Sequence, residues 1–371
     1  MDMRILHLGV AYLPYIGGST IRLQALLTLL AKRPNIEVHL LVAMDPRRFG
    51  VLPAYEIIDG VHVHRVADQT QLFLALFRLQ SAMQFDAIHV HNARYGLFAI
   101  LSGNKPVILE FHALREMNRI KDILTQFVCN RARYIFVLAH SAKQQLINHY
   151  NLLENRIDVL YNGIKFDLFN PELVSGQMIR DKFNLTGLKV IGYVGTFHSW
   201  QGVHILVESF KLVLSHYPDM KLLLVGDGPE KERLMTQVGE LGIEKKVIFA
   251  GSVPFLETPS YLAAIDVVAI TRPQTAETNS AVPLKVIEAM CMKKSVLVTP
   301  VLGLIEVVRH NQTGWVSEGF DARAISNMIV SVLDLEEDKR NSVEHMAREY
   351  VLRNFSWDVS VDKMLEAYHA I

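Results

Sequence analysis

The feature that most constrains the fold is an alternation of short apolar runs with longer amphipathic ones, made twice along the 371 residues. Residues 5–10, 38–43, 61–66, 87–91, 107–110, 134–138 and 157–160 have the length and the apolar content of buried strands. Between them, 21–32, 71–83, 119–131 and 142–150 carry apolar residues at helical spacing, as in Leu23, Leu26, Leu27 and Leu30. Such βαβα order predicts a parallel sheet covered on both faces. The pattern pauses over 166–188, which holds Pro171, Gly176 and Gly187 and reads as a connection with a short helix near 178–183. It then resumes, with strands at 190–194, 221–225, 247–249, 267–270 and 295–298. Helices are expected at 203–215, 230–241, 261–264, 285–291, 322–333 and 336–354, and an isolated amphipathic helix at 357–369.

Two α/β domains in series are therefore expected, with boundaries at 1–168 and 186–355. Half of the residues are hydrophobic (50%) and 20% are charged, enough for two cores and too apolar for disorder. Lys plus Arg (38) equals Asp plus Glu (38), so no whole-molecule field draws nucleic acid. The two cysteines, Cys129 and Cys291, lie in apolar helical patterns without a metal-like spacing partner, which suits a reducing compartment. The apolar run 5–10 is too short for a signal peptide, and no stretch reaches the ~20 apolar residues of a membrane span. A cytoplasmic protein, at most peripheral to a membrane, is expected. Arg115, Arg119, Lys121, Arg131 and Arg133 are interleaved with Ile120, Ile123, Leu124 and Phe127. This cluster reads first as an ordinary solvated helix face, with contact to an anionic membrane or a lipid-phosphate acceptor as the alternative.

Four motifs stand at strand-to-helix junctions. Pro14-Tyr15-Ile16-Gly17-Gly18-Ser19 follows the first strand. Gly195-Thr196-Phe197-His198-Ser199-Trp200-Gln201-Gly202 follows the strand at 190–194. Gly226-Asp227-Gly228-Pro229 follows the strand at 221–225, and Pro283-Leu284-Lys285-Val286-Ile287-Glu288-Ala289-Met290 opens a helix. Glycines there let a backbone approach a ligand, and a helix N-terminus suits a diphosphate. Each motif alone is equally a tight turn or an amphipathic helix start; their joint order carries the reading.

That order, with Tyr161-Asn162-Gly163-Ile164, Phe249-Ala250-Gly251, Asn311-Gln312-Thr313-Gly314 and Phe355-Ser356-Trp357, resembles the GT-B retaining glycosyltransferases of glycogen-synthase and mannosyltransferase type. The resemblance covers nearly the whole chain. It implies an α/β fold of two Rossmann-like, doubly wound domains facing a central cleft. The N-terminal domain takes the acceptor and the C-terminal domain the nucleotide-sugar donor, while a last helix at about 356–371 crosses back to the N-terminal domain. It implies a sugar transfer with retention, from a nucleoside-diphosphate sugar such as a UDP- or GDP-sugar to a glycan, lipid-linked or small-molecule hydroxyl. The setting implied is cell-envelope polysaccharide or glycoconjugate synthesis.

No cofactor and no metal are implied, and an Asp-x-Asp signature is absent. Glu288 matches the ribose-binding glutamate, and Gly17 and Gly18 the loop facing the donor phosphates. Ser252 and Val253 lie in the loop that holds the base. His112 matches a histidine that faces the donor sugar; read locally, it is also a loop histidine that caps or contacts Arg115. Gly195, Gly226, Pro283 and Leu284 fall at donor-contact positions.

Three departures stand out. Thr196 and Gln201 occupy the places of an arginine and a lysine that meet the diphosphate, and Ser280 the place of the first of two glutamates. Lys285, Arg272 and Glu277 are the candidate replacements. The departures keep two other readings open, a weakened nucleotide-sugar-binding subunit and a GT-B nucleotide-sugar epimerase. A nicotinamide-dependent dehydrogenase fits least, since Gly17-Gly18 does not form its glycine fingerprint.

Overall fold

The structure, a computed structural model, describes residues 3–15, 18–114 and 119–371. The chain forms two compact units, Met1–Gly163 with Trp357–Ile371, and Ile164–Ser356.

In the first unit the apolar runs form strands β1 (Met3–Gly9), β2 (Ile36–Ala43), β3 (Tyr55–Ile58), β4 (Val61–Val66), β5 (Ala87–Val90), β6 (Val107–Phe111), β7 (Tyr134–Val137) and β8 (Ile157–Val159). They make one sheet in the order β3-β4-β2-β1-β5-β6-β7-β8. Every pairing is parallel except β3 with β4. That edge strand is missing from the sequence reading, as is the helix Ala93–Leu101. β3 enters through a two-residue hairpin, Asp59-Gly60, in which both residues have positive φ (48° and 84°). This suits the right-handed twist of the paired strands. Leu23, Leu26, Leu27 and Leu30 of the Gly18–Ala31 helix are buried, as their spacing requires.

The helix Trp357–His369 is not isolated. It belongs to the first unit and packs on the Gly18–Ala31 helix, burying Trp357, Val361, Met364 and Tyr368 at helical spacing. Tyr161 O accepts from Ser360 Oγ at 3.0 Å and Val159 O from Lys363 Nζ at 3.0 Å, so the end of β8 and the helix are joined.

The second unit holds β9 (Val190–Val194), β10 (Lys221–Val225), β11 (Val247–Gly251), β12 (Val267–Ile270), β13 (Ser295–Val298) and β14 (Trp315–Val316). Their order is β11-β10-β9-β12-β13-β14, all parallel. Tyr193, Phe197, Phe210, Leu222, Leu224 and Trp315 lie in its core. The segment 166–188, read as a connection, is part of this unit. Phe169 is fully buried, and its carbonyl accepts from Cys291 Sγ at 3.2 Å and Arg348 Nη1 at 3.3 Å. Ile179 and Leu185 are buried as well.

Strand order reverses beside β9, between β10 and β12. In open parallel sheets ligands bind at the carboxyl ends beside such a point. The two loops there touch through Gly202, whose φ is 69°; a Cβ at this position would lie 1.8 Å from Thr271 O. Thr271 Oγ1 returns a hydrogen bond to Gly202 O at 2.8 Å. Gly202→Ala should therefore destabilise the second unit by about 2–4 kcal/mol through clash and backbone strain. Chemical denaturation checks this, and a loss below about 1 kcal/mol would show that the loops part easily.

Candidate functional site

In the second unit the carboxyl-end loops are stitched together by backbone. Gly195 N donates to Val225 O at 2.9 Å, Phe197 N to Asp227 O at 2.9 Å and Gly226 N to Gly251 O at 2.8 Å. Gly226 has φ 137°, and a Cβ on it would meet Gly195 O at 1.9 Å. The glycine at 226 is thus explained by loop stacking with no ligand invoked. Ser252 lies exposed and Val253 half-buried just beyond β11 on the same edge.

Lys285 projects from the first turn of the Leu284–Cys291 helix, whose N-cap is Pro283. Its ammonium lies 2.5 Å from Tyr193 Oη and 2.9 Å from Gln201 Oε1. A Cβ on Gly195 would sit 2.5 Å from Lys285 Nζ, so only glycine leaves room for it. Arg272 Nε donates to the same Gln201 oxygen at 3.2 Å. Five of the sequence-selected residues therefore meet: Gly195, Gln201, Arg272, Lys285 and, by its backbone, Thr196, whose carbonyl accepts from Tyr193 Oη at 3.0 Å. The Thr196 side chain itself is exposed. Burial holds the Lys285 ammonium well below its ordinary pKa, and the Arg272 charge adds to that.

Glu288 stands three residues after Lys285, one helical turn on. Its carboxylate makes no hydrogen bond or ion pair with another described residue. Burial raises its pKa to about 7, against the pull of Lys285. A half-buried carboxyl without partners is costly unless a ligand supplies donors. Ser280 is buried and donates to Glu277 O at 3.0 Å, while Glu277 lies half-buried in the short helix Ala276–Asn279.

In the first unit Gly18 opens the Gly18–Ala31 helix, while Gly17 and Arg115 lie outside the described residues. His112 follows β6 and heads a buried network that the sequence reading missed. Glu110 Oε1 lies 2.8 Å from both His112 Nε2 and Arg22 Nε. His91 Nδ1 lies 3.2 Å from His112 Nε2, and His7 Nδ1 lies 3.3 Å from His91 Nε2. Tyr368 Oη lies 3.3 Å from His7 Nε2 and 2.7 Å from His89 Nδ1. His89 Nε2 closes the circuit 3.5 Å from Glu110 Oε2.

One tautomer assignment gives the ring N–H groups of His7, His91 and His112 acceptors, while His89 Nε2 and Glu110 Oε2 face each other at 3.5 Å without a hydrogen bond. His89 Nε2–H points to Glu110, Tyr368 O–H to His89 and His7 Nε2–H to Tyr368. His91 Nε2–H then points to His7, and His112 Nε2–H to Glu110 and His91. His112 Nδ1 is left as a lone pair at the exposed end of the chain, able to accept from a hydroxyl. The signal was present in sequence: Glu110 is a charge inside the apolar run 107–111, and His7, His89 and His91 alternate in two other strands.

One oxygen or nitrogen from each of His89, His91 and Glu110 falls within a 4.8 Å group, a metal-like spacing. Arg22 already supplies the positive charge there. It is itself buried, and its remaining donors reach Leu160 O, Tyr161 O and Asn162 Oδ1 at 3.0–3.1 Å. A divalent ion would have to sit beside that guanidinium, which disfavours it.

Residues 16–168 match the family model described as Glycosyltransferase Family 4, and 177–350 match that of Glycosyl transferases group 1. A D-inositol 3-phosphate glycosyltransferase of Corynebacterium urealyticum is 24% identical over 319 residues, 80% of this chain and 74% of its own. An N-acetyl-alpha-D-glucosaminyl L-malate synthase of Bacillus anthracis is 26% identical across 99% of this chain and 97% of its own. The crystal structure of HepE from Anabaena in complex with UDP-glucose superposes with a TM-score of 0.78 at 18% identity, covering 100% of both chains.

Burial also makes the histidine circuit acid-labile. It lowers the pKa of His7, His89 and His91, the last to about 4, below the ordinary value near 6.5. The unfolded chain therefore binds protons that the folded one refuses, so stability falls as pH drops below about 6.5. His91 alone should cost the first unit about 2 kcal/mol between pH 7.5 and pH 5. Urea denaturation at the two pH values tests this; equal stabilities would show that the histidines charge without penalty.

The two halves of the chain thus match the two halves of one enzyme family on one fold, and the protein belongs to the group 1 glycosyltransferases of GT-B fold.

Proposed function

We propose that this protein moves a sugar from a nucleoside-diphosphate sugar to a hydroxyl acceptor, with retention at the anomeric carbon. The observation that carries the proposal is the meeting of Lys285, Arg272 and Gln201 at the carboxyl-end loops, with Glu288 one turn away. The two cations receive the diphosphate, and Glu288 accepts from the ribose hydroxyls. The HepE structure with UDP-glucose supports a donor of this class. As the bond from the anomeric carbon to phosphate breaks, negative charge grows on the leaving diphosphate. Lys285 and Arg272 are placed to meet it by charge-assisted contacts, so this reading needs no metal. His112, with its Nδ1 lone pair outward, is assigned to a hydroxyl of the donor sugar. The acceptor oxygen attacks on the face the diphosphate leaves, and the departing phosphate takes its proton.

The acceptor is read as a glycan, lipid-linked or small-molecule hydroxyl in cell-envelope polysaccharide or glycoconjugate synthesis. No described helix is long and apolar enough to cross a membrane. The helix Arg119–Arg131 exposes Ile120 (80%), Ile123 (58%) and Phe127 (40%) beside Arg119, Lys121 and Arg131. Contact of this face with anionic lipid belongs to the proposal.

A panel of nucleoside-diphosphate sugars, followed for nucleotide release with and without acceptors, tests the reaction. Acceptor-dependent release with a product of the summed mass is expected. Donor isomerised without acceptor would indicate an epimerase, and binding without turnover a binding subunit. Lys285→Ala should lower kcat/KM at least ~10-fold, from a contact worth about 2–4 kcal/mol in the transition state. Glu288→Gln should act mainly on KM, and unchanged kinetics in both variants would remove these residues from the site. Flotation with anionic liposomes should carry the protein, and its failure to float would discard the lipid contact.

A further inference from the structure

Far along the first sheet from His112, a second group of histidines lies on one face of β2 and β4. His39 of β2 pairs in register with His62 of β4, and Leu41 with His64. The imidazoles of His39 and His62 stack at 4.6 Å, and those of His39 and His64 at 5.4 Å. Glu37, two residues before His39 and hence on the same face, lies with Oε1 2.7 Å from His39 Nε2. One donor atom from each of Glu37, His39 and His62 falls within 4.8 Å of the others.

From this arrangement we propose that Glu37, His39 and His62 form a binding site for a first-row divalent ion of the zinc type, separate from the sugar-transfer site. Two imidazoles and a carboxylate are the ligand set that zinc takes when one position stays open. Around a tetrahedral ion with bonds of about 2.0 Å, donors stand about 3.3 Å apart. No pair here has to close by more than about 1.5 Å, and the hydrogen bond between Glu37 and His39 opens slightly to admit the ion.

The outer contacts argue for a site more than the spacing does. Metal-bound histidine characteristically donates its other ring N–H to a fixed acceptor, and bound carboxylates are themselves held. His39 Nδ1 lies 3.1 Å from His64 Nε2, and His62 Nδ1 lies 2.8 Å from Tyr55 Oη. Glu37 Oε2 accepts from Arg4 Nε at 2.9 Å and Nη2 at 2.7 Å. Each of the three residues thus has one polar atom held by a neighbour, and the proposal assigns the other to the ion: His39 Nε2 and Glu37 Oε1, which bond each other at 2.7 Å in its absence, and His62 Nε2. His39 is buried and backed by the Phe85 ring edge at 5.2 Å, whereas Glu37 and His62 are half-buried. The group is therefore anchored on one side and open on the other, where water completes the coordination. The bound ion joins β2 to β4, with Tyr55 of edge strand β3 in its outer contacts.

The test is titration of the tag-free full chain with Zn2+ by calorimetry and with Co2+ by visible absorption. Wild type should bind one ion more than His62→Ala and show a Co2+ band of low-coordinate geometry, and Zn2+ should raise its melting midpoint. His62→Ala, chosen because the position is half-exposed, should lose the band and bind at least ~10-fold more weakly; Tyr55→Phe should weaken binding about 10-fold. Mg2+, which prefers oxygen donors, should neither bind nor stabilise. Equal Zn2+ stoichiometry and affinity in wild type and His62→Ala, with His62→Ala folded by circular dichroism, would overturn the proposal. Absence of any saturable Zn2+ binding by wild type would overturn it as well.

Discussion

The first unit is organised by one buried guanidinium. Arg22 is held by Glu110 on β6 and by the carbonyls and amide oxygen of 160–162 beyond β8. Its side chain, reaching from the Gly18–Ala31 helix, thereby ties β6 to the segment after β8, and Tyr161 O also receives Ser360 of the last helix. A buried ion pair adds little net stability, yet removing one partner strands a charge and costs about 3–5 kcal/mol. Arg22 and Glu110 must therefore be present together. Their presence fixes Glu110 as a carboxylate, and that carboxylate orients His112. Burial opposes ionisation of Glu110; the Arg22 charge and the imidazoles of His112, His89 and His91 outweigh it and hold the pKa well below the ordinary value. Arg22 thus acts on His112 through Glu110, whose Oε1 lies 2.8 Å from both.

The second unit solves a different electrostatic problem. Two cations in a confined site repel each other and pay for lost hydration. Gln201 offers one amide oxygen to both, Arg272 at 3.2 Å and Lys285 at 2.9 Å. A neutral residue at 201 suits this arrangement: a third cation there would crowd the two already present. Because both cations are partly desolvated, an incoming dianion gains more from them than it would from solvated lysines. Glu288 shows the reverse case, since burial raises its pKa to about 7 against the pull of Lys285.

Much of the fold was legible because a parallel sheet buried on both faces reads as repeated apolar runs. All the strands proposed from sequence are present, most within one or two residues of the expected ends. β3 was missed because its alternation is short and half-exposed, although the Asp59-Gly60 turn beside it was a direct hairpin signal. The reading of 166–188 as a connection with a short helix near 178–183 gave the helix, found at Gln177–Lys182, but not the burial of Phe169 and Leu185, which are single apolar anchors without a period. Lys285, Arg272 and Gln201 were singled out individually from sequence, but their convergence was not visible, since Gln201 stands 71 and 84 positions from the two cations and shares no local pattern with them. The histidine circuit around Glu110 left single signs in the sequence, a charge inside an apolar run and alternating histidines, but not its closure: its members come from β1, β5, β6 and the last helix.

The two histidine groups of the first sheet show how one charge decides what similar side chains do. Each has stacked imidazoles and a carboxylate at metal-like spacing. Around Glu110 the carboxylate's charge is cancelled by Arg22, which is itself 2% exposed and walled in by backbone oxygens. A divalent ion there would add two positive charges beside a guanidinium that cannot move away. Around Glu37 the partner is Arg4, whose side chain is 35% exposed and binds only the far oxygen of the carboxylate. Water screens that charge and leaves the near oxygen turned toward His39. The buried arginine makes a hydrogen-bonded circuit suited to holding one histidine in a fixed tautomer. The exposed arginine leaves a carboxylate held in place but still able to take a cation, and that difference assigns orientation to one group and ion binding to the other.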